Sequence, residues 1–133
     1  MIDKNKQKEL VEAALDVRKN AFAPFSKFQV AASLLSTDGN ITCGINVESS
    51  SYGLTVCAER NAISAAIANG KKEFVALAVI SRGAAYPCGA CRQVIFDICG
   101  NIDIIVADEN GEIKDITDTK TLLPKAFGIE NLE

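Results

Sequence analysis

The chain has 133 residues, which suits one domain, residues 1–133, built around one hydrophobic core. Hydrophobic residues make up 48% of the chain and charged residues 23%, close to the average of soluble globular proteins, and this balance argues against a disordered chain. A formal net charge of −3 disfavours nucleic acid as a partner, and the longest apolar run, FVALAVI, is too short to span a membrane.

The first half of the chain predicts one helix followed by a β-hairpin. Apolar residues recur at helical spacing over residues 6–22, and Pro24 is expected to end this helix. Residues 28–35 suit a half-buried strand, and TDGN supplies turn chemistry at 37–40. Residues 41–47 then alternate apolar with polar or small side chains, which is typical of the second strand of a hairpin.

The second half alternates between helical and strand-like segments. An alanine-rich helix is predicted over 57–69 and a second helix over about 89–98. Between them, the apolar residues 74–80 are typical of a central strand covered on both faces. A strand at 102–108 and a short strand after the turn ENGE follow, and LLPKAF at 122–127 is compatible with a last helix. This order predicts an α/β fold with a mixed sheet between helical layers.

Three of the five cysteines stand where two helices are expected to begin. Cys57 opens one helix, and Cys88 and Cys91 open the other within PCGACRQ. Residues three apart in a first helical turn point the same way, so this pair can bind one ion together. Cys57 would supply a third ligand, and a tetrahedral metal then keeps one open position, as in catalytic zinc sites.

Other interpretations of the cysteines stay open at this level. A C-x-x-C pair alone fits a redox dithiol as well as a metal site. A closed structural zinc site needs a fourth ligand, for which Cys43 and Cys99 are candidates, although both fall among apolar residues and suit buried, unreactive thiols better. The N-terminal segment has no apolar signal region, so we expect a cytoplasmic protein with reduced cysteines.

Glu59 follows Cys57 by two residues in a chain without histidine. Proton transfer near neutral pH therefore falls to a carboxylate, a lysine, a tyrosine or a metal-bound water. Beside the metal, Glu59 can pass a proton from water to a nitrogen leaving group without being a ligand itself. Its alternative interpretation is a first-turn glutamate that the helix dipole stabilises.

Three thiolates around Zn²⁺ leave a net negative charge, which makes the ion a weaker acid. The N-termini of two helices and nearby hydrogen-bond donors can offset this charge. Arg60 and Arg92, which directly follow Glu59 and Cys91, are the predicted donors to the sulfur atoms. A surface salt bridge is the alternative for each arginine.

CAER at 57–60 and PCGACRQ at 87–93, with the spacing between them, resemble the cytidine deaminase family, specifically its small homotetrameric type with three cysteine ligands. APFSKFQVAASLL at 23–35, NVESSSYG at 46–53 and LLPKAF are similar to that family's segments in the same order. The resemblance covers nearly the whole chain. It implies a three-layer α/β/α sandwich with a mixed five-stranded sheet.

The resemblance also implies a role for each site residue. Asn46 and Glu48 are two residues apart, and on a strand they would face the same way, which suits joint binding of a sugar hydroxyl. By this resemblance, Cys57, Cys88 and Cys91 would bind one Zn²⁺ per subunit, and Glu59 would transfer protons. Asn46 and Glu48 would bind the ribose, Phe28 would contact the pyrimidine, and the backbone around Ala58 would contact the base. Phe127 would contact the site of a neighbouring subunit in a homotetramer.

The implied reaction is the hydrolytic deamination of cytidine and 2′-deoxycytidine to the uridine products with release of ammonia, a step of pyrimidine salvage. A modified cytidine as the substrate and a non-catalytic, zinc-stabilised binding domain are the alternatives. Polynucleotide substrates are disfavoured, because aromatic residues make up only 6% of the chain and no basic groove is evident. Ala31, Ser49 and Ser50 depart from the family pattern, which leaves the preference for sugar or base open.

Overall fold

The computed structural model describes residues 2–133 and contains a mixed five-stranded sheet. The strands are β1 (Ala31–Ser36), β2 (Ile41–Ile45), β3 (Phe74–Ile80), β4 (Asp103–Ala107) and β5 (Ile113–Asp118). They lie in the order β2-β1-β3-β4-β5. Strands β3 and β4 are parallel, whereas the other neighbouring pairs are antiparallel.

Helices cover both faces of this sheet. They are α1 (Lys4–Arg18), α2 (Ala58–Ala68), α3 (Gly89–Cys99) and the single-turn α4 (Thr119–Leu122). Helix α1 packs on one face, and α2 and α3 pack on the other. The predicted α/β class, with a mixed five-stranded sheet in a three-layer sandwich, is confirmed. Within residues 2–133, no helix has the length and apolar character that crossing a membrane requires.

The strand sequences explain how the two hydrophobic cores form. Along β1, Ala32 and Leu34 belong to the core under α2 and α3, whereas Ala31 and Leu35 belong to the core under α1. This division follows from the alternation of side chains along a strand. Strand β3 is buried at every position except the half-buried Val75, as its all-apolar sequence predicts for a central strand.

The first helix ends earlier than the sequence predicts. Helix α1 stops at Arg18 instead of continuing to Phe22. Phe22 leaves the helix because its backbone pairs with the segment after β2: its N–H donates to the carbonyl of Asn46 and its carbonyl accepts from the N–H of Glu48, both at 2.9 Å. Pro24 therefore lies beyond the helix end and does not cause it.

The first strand begins later than the sequence predicts, at Ala31 instead of Phe28. The side chain of Asn46 explains the difference. Its Oδ1 accepts from the N–H of Val30 at 3.0 Å, and its Nδ2 donates to the carbonyl of Phe28 at 2.8 Å. These backbone groups are bound by a side chain instead of by a neighbouring strand, so Phe28 lies outside the sheet.

The last helix also differs from the prediction that LLPKAF at 122–127 is helical. Helix α4 covers Thr119–Leu122 and ends where that segment begins. Leu123 precedes Pro124, and the residue before a proline disfavours helical backbone angles. Accordingly, Leu123 has φ −135° and ψ 72°, outside the helical region.

Candidate metal centre and active site

Three thiol groups converge where α2 and α3 begin, and we refer to Cys57, Cys88 and Cys91 as the thiol cluster. Cys57 directly precedes α2, Cys88 directly precedes α3, and Cys91 lies in the first turn of α3. The Sγ atom of Cys88 lies 4.0 Å from that of Cys57 and 3.5 Å from that of Cys91. All three cysteines are free thiols rather than disulfides.

The sulfur separations of the thiol cluster fit a tetrahedral zinc site. Zinc–sulfur bonds of about 2.3 Å at tetrahedral angles place neighbouring sulfur atoms about 3.8 Å apart. The observed separations of 3.5 and 4.0 Å lie on either side of that value, and all three ligand atoms are within 4.8 Å of one another. In the described part of the chain, residues 2–133, no second group of His, Cys, Asp or Glu of this kind occurs.

Cys43 and Cys99 lie outside the thiol cluster. The Sγ atom of Cys43 donates to the carbonyl of Ala13 at 3.6 Å, and burial raises the pKa of this thiol. Cys99 packs against the core under α2 and α3, and burial raises its pKa to about 12. Among residues 2–133 the group of ligand atoms within 4.8 Å of one another contains the thiol cluster alone, so neither Cys43 nor Cys99 supplies a fourth ligand.

A close contact between β2 and α2 fixes the position of Cys57. Gly44 lies directly against the first turns of α2, where an added Cβ would be 2.5 Å from the carbonyl oxygen of Ala58 and 2.3 Å from the backbone nitrogen of Ala62. Only glycine permits such an approach between two backbones. The side chain of Asn61 strengthens the contact, because its Nδ2 donates to the last carbonyl of β2 at 2.7 Å.

Positive charge lies next to the sulfur atoms. The N-termini of α2 and α3 meet at the thiol cluster, and neither Cys57 nor Cys88 uses its side chain to cap its helix. The Nη2 atom of Arg60 donates to the Sγ of Cys57 at 3.4 Å. The nearby thiol of Cys91 and then the hydrogen bond from Arg60 lower the pKa of Cys57 to about 5. The interaction with Cys57, and then burial, raise the pKa of Cys91.

Glu59 lies in the first turn of α2 and its residue is only 4% exposed. Burial raises the pKa of its carboxyl group, and the negative charge of Cys57 acts in the same direction. The helix dipole also stabilises an exposed glutamate, so a glutamate with that role alone would lose its hydration on burial without a compensating gain. The burial of Glu59 beside the thiol cluster therefore favours a chemical role.

A cavity of ≈ 250 Å³ opens beside the thiol cluster at the carboxyl end of β3. A small volume of this kind suits a metabolite rather than a polymer. The cavity brings together the residues that the sequence predicts for chemistry and for substrate binding, and its lining includes Phe28, Asn46, Glu48, Ala58 and Glu59 together with two cluster cysteines.

Glu48 is held in the cavity as an oriented acceptor. Its Oε1 accepts from the backbone N–H groups of Phe25 and Ser26 at 2.9 and 3.1 Å, and its Oε2 accepts from the hydroxyl of Ser26. These hydrogen bonds, the hydroxyl first, lower the pKa of Glu48. Asn46 is equally fixed, since its amide binds the backbone of residues 28–30, and it retains one N–H that can meet a ligand.

Arg92 does not occupy the position that the sequence predicts. Instead of donating to a sulfur atom, its Nε donates to the carbonyl of Pro87 at 2.7 Å and its Nη1 donates to the carbonyl of Leu122 at 3.0 Å. It therefore joins the segment that precedes Cys88 to the end of α4. The pattern CRQ gave no sign of this contact, because Leu122 lies 30 residues further along the chain.

Phe127 lies outside the cavity of its own chain. Its residue is 59% exposed, and its carbonyl accepts from the Nε2 of Gln93 at 2.8 Å. The C-terminal segment is thus attached to α3 while the aromatic ring faces outward.

Comparison with known proteins gives an independent view of the same site. The family model described as the cytidine and deoxycytidylate deaminase zinc-binding region matches residues 4–107. The chain belongs to this family. The thiol cluster lies within the matched region, and it fits one zinc ion per subunit.

Individual relatives match over almost their whole length. A cytidine deaminase of Halalkalibacterium halodurans is 41% identical over 126 residues, which cover 92% of this chain and 95% of the relative. A cytidine deaminase of Sporosarcina psychrophila is 43% identical over 127 residues, with 93% of each protein covered. The crystal structure of cytidine deaminase from Burkholderia pseudomallei superposes with a TM-score of 0.86 at 39% identity, covering 95% of this chain and 100% of that one.

The sequence patterns did not single out three residues that lie near the site. Gly44 has a usable signal, because a glycine inside a predicted strand often marks close approach of another backbone. Ser26 has none, since the carboxylate that it binds lies 22 residues away. Arg82 has none either, although its Cζ lies 5.6 Å from the centroid of the Phe28 ring.

Proposed function

We propose that this chain catalyses the hydrolytic deamination of cytidine and 2′-deoxycytidine to uridine and 2′-deoxyuridine, with release of ammonia. One observation carries the proposal: a single cavity is lined both by thiol-cluster residues with Glu59 and by Phe28, Asn46 and Glu48. The first group suits hydrolysis at a metal, and the second suits recognition of a nucleoside. The whole chain, residues 1–133, would act as one catalytic domain.

The thiol cluster would hold the zinc ion. When bound there, zinc supplies Lewis acidity, which lowers the pKa of a water molecule so far that the water can ionise near neutral pH. Arg60 and the N-termini of α2 and α3 would offset the negative charge of three thiolates. This compensation matters because the chain provides sulfur ligands and no neutral imidazole.

Glu59 would carry the protons of the reaction. Its carboxylate accepts a proton from the water whose oxygen attacks C4 of the cytosine ring. The protonated carboxyl then donates that proton to ring N3. Glu59 next accepts the remaining proton of the new C4 hydroxyl and donates it to the amine, so that the C4–N bond breaks, the C4 carbonyl forms and ammonia leaves. In zinc deaminases in general, a glutamate that is not a ligand performs this transfer. The place of Glu59, buried in the lining of the cavity, suits that task.

The remaining lining residues would orient the nucleoside. Glu48 is ionised and fixed, so it can accept from a ribose hydroxyl, while the free N–H of Asn46 can donate to one. Phe28 would lie against the pyrimidine ring. The backbone near Ala58, at the first residue of α2, would meet the polar edge of the base.

We propose that the protein acts as a homotetramer in the cytoplasm, where it would serve pyrimidine salvage. Phe127 would enter the site of a neighbouring subunit, and its outward-facing ring supports that role. Aromatic and aliphatic side chains exposed near the cavity give further surface for association: Phe22 53%, Phe25 48%, Val47 43%, Tyr52 78% and Leu54 70% exposed.

The test is a turnover assay on purified protein whose zinc content has been measured. Ultraviolet absorbance should report conversion of cytidine by the wild type, at about one zinc ion per chain. Glu59→Gln keeps the size of the side chain and should lower kcat by at least about 100-fold while zinc remains bound. Glu12→Gln, an exposed change on α1, is the matched control and should leave the rate unchanged.

The alternatives make different predictions in the same assay. Zinc at full occupancy with no turnover of any pyrimidine nucleoside would indicate a non-catalytic binding domain. Turnover of an N4-substituted cytidine much faster than of cytidine would indicate a modified nucleoside as the natural substrate. Near-normal turnover by Glu59→Gln would contradict the role of Glu59 as the proton carrier.

A further inference from the structure

The loop between β3 and α3 is a tightly hydrogen-bonded turn with Arg82 near its start. The hydroxyl of Ser81 accepts from the N–H of Ala85 at 2.9 Å, and the carbonyl of Ser81 accepts from the N–H of Ala84 at 3.1 Å. Gly83 and Ala84 both have left-handed backbones, with φ of 78° and 56°. These bonds fix the backbone of the turn and so the direction in which the Arg82 side chain leaves it.

That direction brings the guanidinium of Arg82 to the ring of Phe28. The Cζ atom lies 5.6 Å from the ring centroid, within the range of about 6 Å over which a cation is attracted to an aromatic face. The structure of residues 2–133 gives the Arg82 guanidinium no carboxylate partner within 4.0 Å, so the ring is its evident electrostatic contact.

The backbone of Phe28 is held by two hydrogen bonds to side chains. Its carbonyl accepts from Asn46 at 2.8 Å, and its N–H donates to the hydroxyl of Ser26 at 3.0 Å. The ring itself is half-buried and lines the cavity, whereas Arg82 is exposed and does not line it. The ring therefore lines the cavity and also contacts the guanidinium, which is not itself part of the lining.

We propose that Arg82 is a positioning residue that fixes the Phe28 ring against the pyrimidine base of the substrate. This inference rests on the proposed function and adds a residue to it. A ring that is already ordered loses less side-chain entropy when a base packs against it, so substrate binding improves. Because the ring would pack against the base equally in the ground state and in the transition state, the benefit applies to binding and not to the chemical step.

The test compares kinetic constants for cytidine. Arg82→Met removes the cation at similar side-chain length and should raise KM about two- to fivefold with kcat unchanged. Arg82→Lys retains a cation and should restore most of the wild-type KM. Lys72→Met is the control for net charge. Lys72 is exposed and precedes the start of β3, whereas Arg82 follows its end, so this variant should leave both constants unchanged.

A double-mutant cycle with Phe28→Leu separates action through the ring from direct contact with the substrate. If Arg82 acts through Phe28, Arg82→Met should add nothing to KM in the Phe28→Leu background. An equal increase in both backgrounds, or no increase in the wild-type background, would overturn the inference while leaving the proposed function intact. A wild type without cytidine turnover would overturn the proposed function and the inference with it.

A measurement without turnover checks the contact itself. The side-chain protons of Arg82 should show ring-current shifts in the NMR spectrum of the full chain, and Phe28→Leu should abolish them. Unshifted Arg82 protons in the wild type would overturn the inference whatever the enzyme assay shows.

Discussion

Arg60 and Cys57 lie one helical turn apart, and the guanidinium of the first donates to the sulfur of the second at 3.4 Å. A hydrogen bond to a metal-binding sulfur withdraws negative charge from it, and it also fixes the ligand's orientation. Arg60 is therefore the side chain that most directly adjusts the charge of the thiol cluster. Arg92, the other arginine near the cluster, bonds to backbone carbonyls instead.

Replacing Arg60 should impair the site chemically. We expect Arg60→Gln to lower kcat/KM for cytidine or the affinity for zinc by about 10- to 100-fold. This is the usual effect of removing a side chain that hydrogen-bonds to a metal ligand. Steady-state kinetics and competition with a zinc chelator measure the two quantities. Arg92→Gln is the contrast: it should lower the melting temperature and alter zinc affinity much less, and equal chemical losses in both variants would contradict this division of roles.

Replacing Ser26 should change the pH dependence of substrate binding. The Ser26 hydroxyl is the main cause of the lowered pKa of Glu48, so the carboxylate of the wild type stays ionised to lower pH. In Ser26→Ala the pKa of Glu48 rises, and the carboxylate is protonated earlier as the pH falls. The increase of KM in acid should therefore begin at higher pH than in the wild type. Identical pH profiles of KM would show that Ser26 does not tune Glu48.

Replacing Gly44 should destabilise the start of α2. A Cβ at this position would lie 2.3 Å from the backbone nitrogen of Ala62, a clash that only movement of α2 relieves. We expect Gly44→Ala to cost more than about 2 kcal/mol of unfolding free energy, in the upper part of the usual range for overpacking or above it. Gly53→Ala is the control, since no atom lies within 4 Å of its added Cβ. Denaturant melts at equal protein concentration compare the two variants.

Removing one cluster thiol should abolish zinc binding without unfolding the chain. Cys88 is exposed, so Cys88→Ala leaves no buried cavity, yet two ligands remain where three are needed. We expect the variant to purify with far less than one zinc ion per chain and without turnover. Cys43→Ala, which changes a thiol outside the cluster, should retain the metal. Metal analysis by atomic emission distinguishes the variants, and full zinc content in Cys88→Ala would contradict the ligand assignment.

Features set by local sequence could be predicted. The spacing of Cys88 and Cys91 places both thiols on one turn of α3, and the apolar run of β3 marks a central strand. Two of the boundaries that differ, the end of α1 and the start of β1, have one cause in common. Phe22 leaves α1 and Phe28 stays outside β1 because each is bound by residues 46–48, a segment that no local pattern connects to them.

Contacts across the fold explain what the sequence alone could not give. The meeting of Cys57 with Cys88 joins positions 31 residues apart, and their spacing alone does not require it. The place of Cys57 at a predicted helix start suggested that grouping, the resemblance to a family agreed with it, and the resemblance supplied the nucleoside-binding roles. It supplied neither the Arg82 contact with Phe28 nor the carbonyl partners of Arg92, because those depend on how loops of this chain pack.

The 31-residue separation of Cys57 and Cys88 bears on folding as well as on catalysis. An ion shared by the two helix starts would act as a cross-link around β3, closing a loop that the denatured chain would otherwise leave free. The melting temperature should then rise with the concentration of free zinc, as it does for any ligand that binds only the native state. Metal supply would in this way set how far the folded chain can be heated before it unfolds, while the metal-free chain still folds at ordinary temperature.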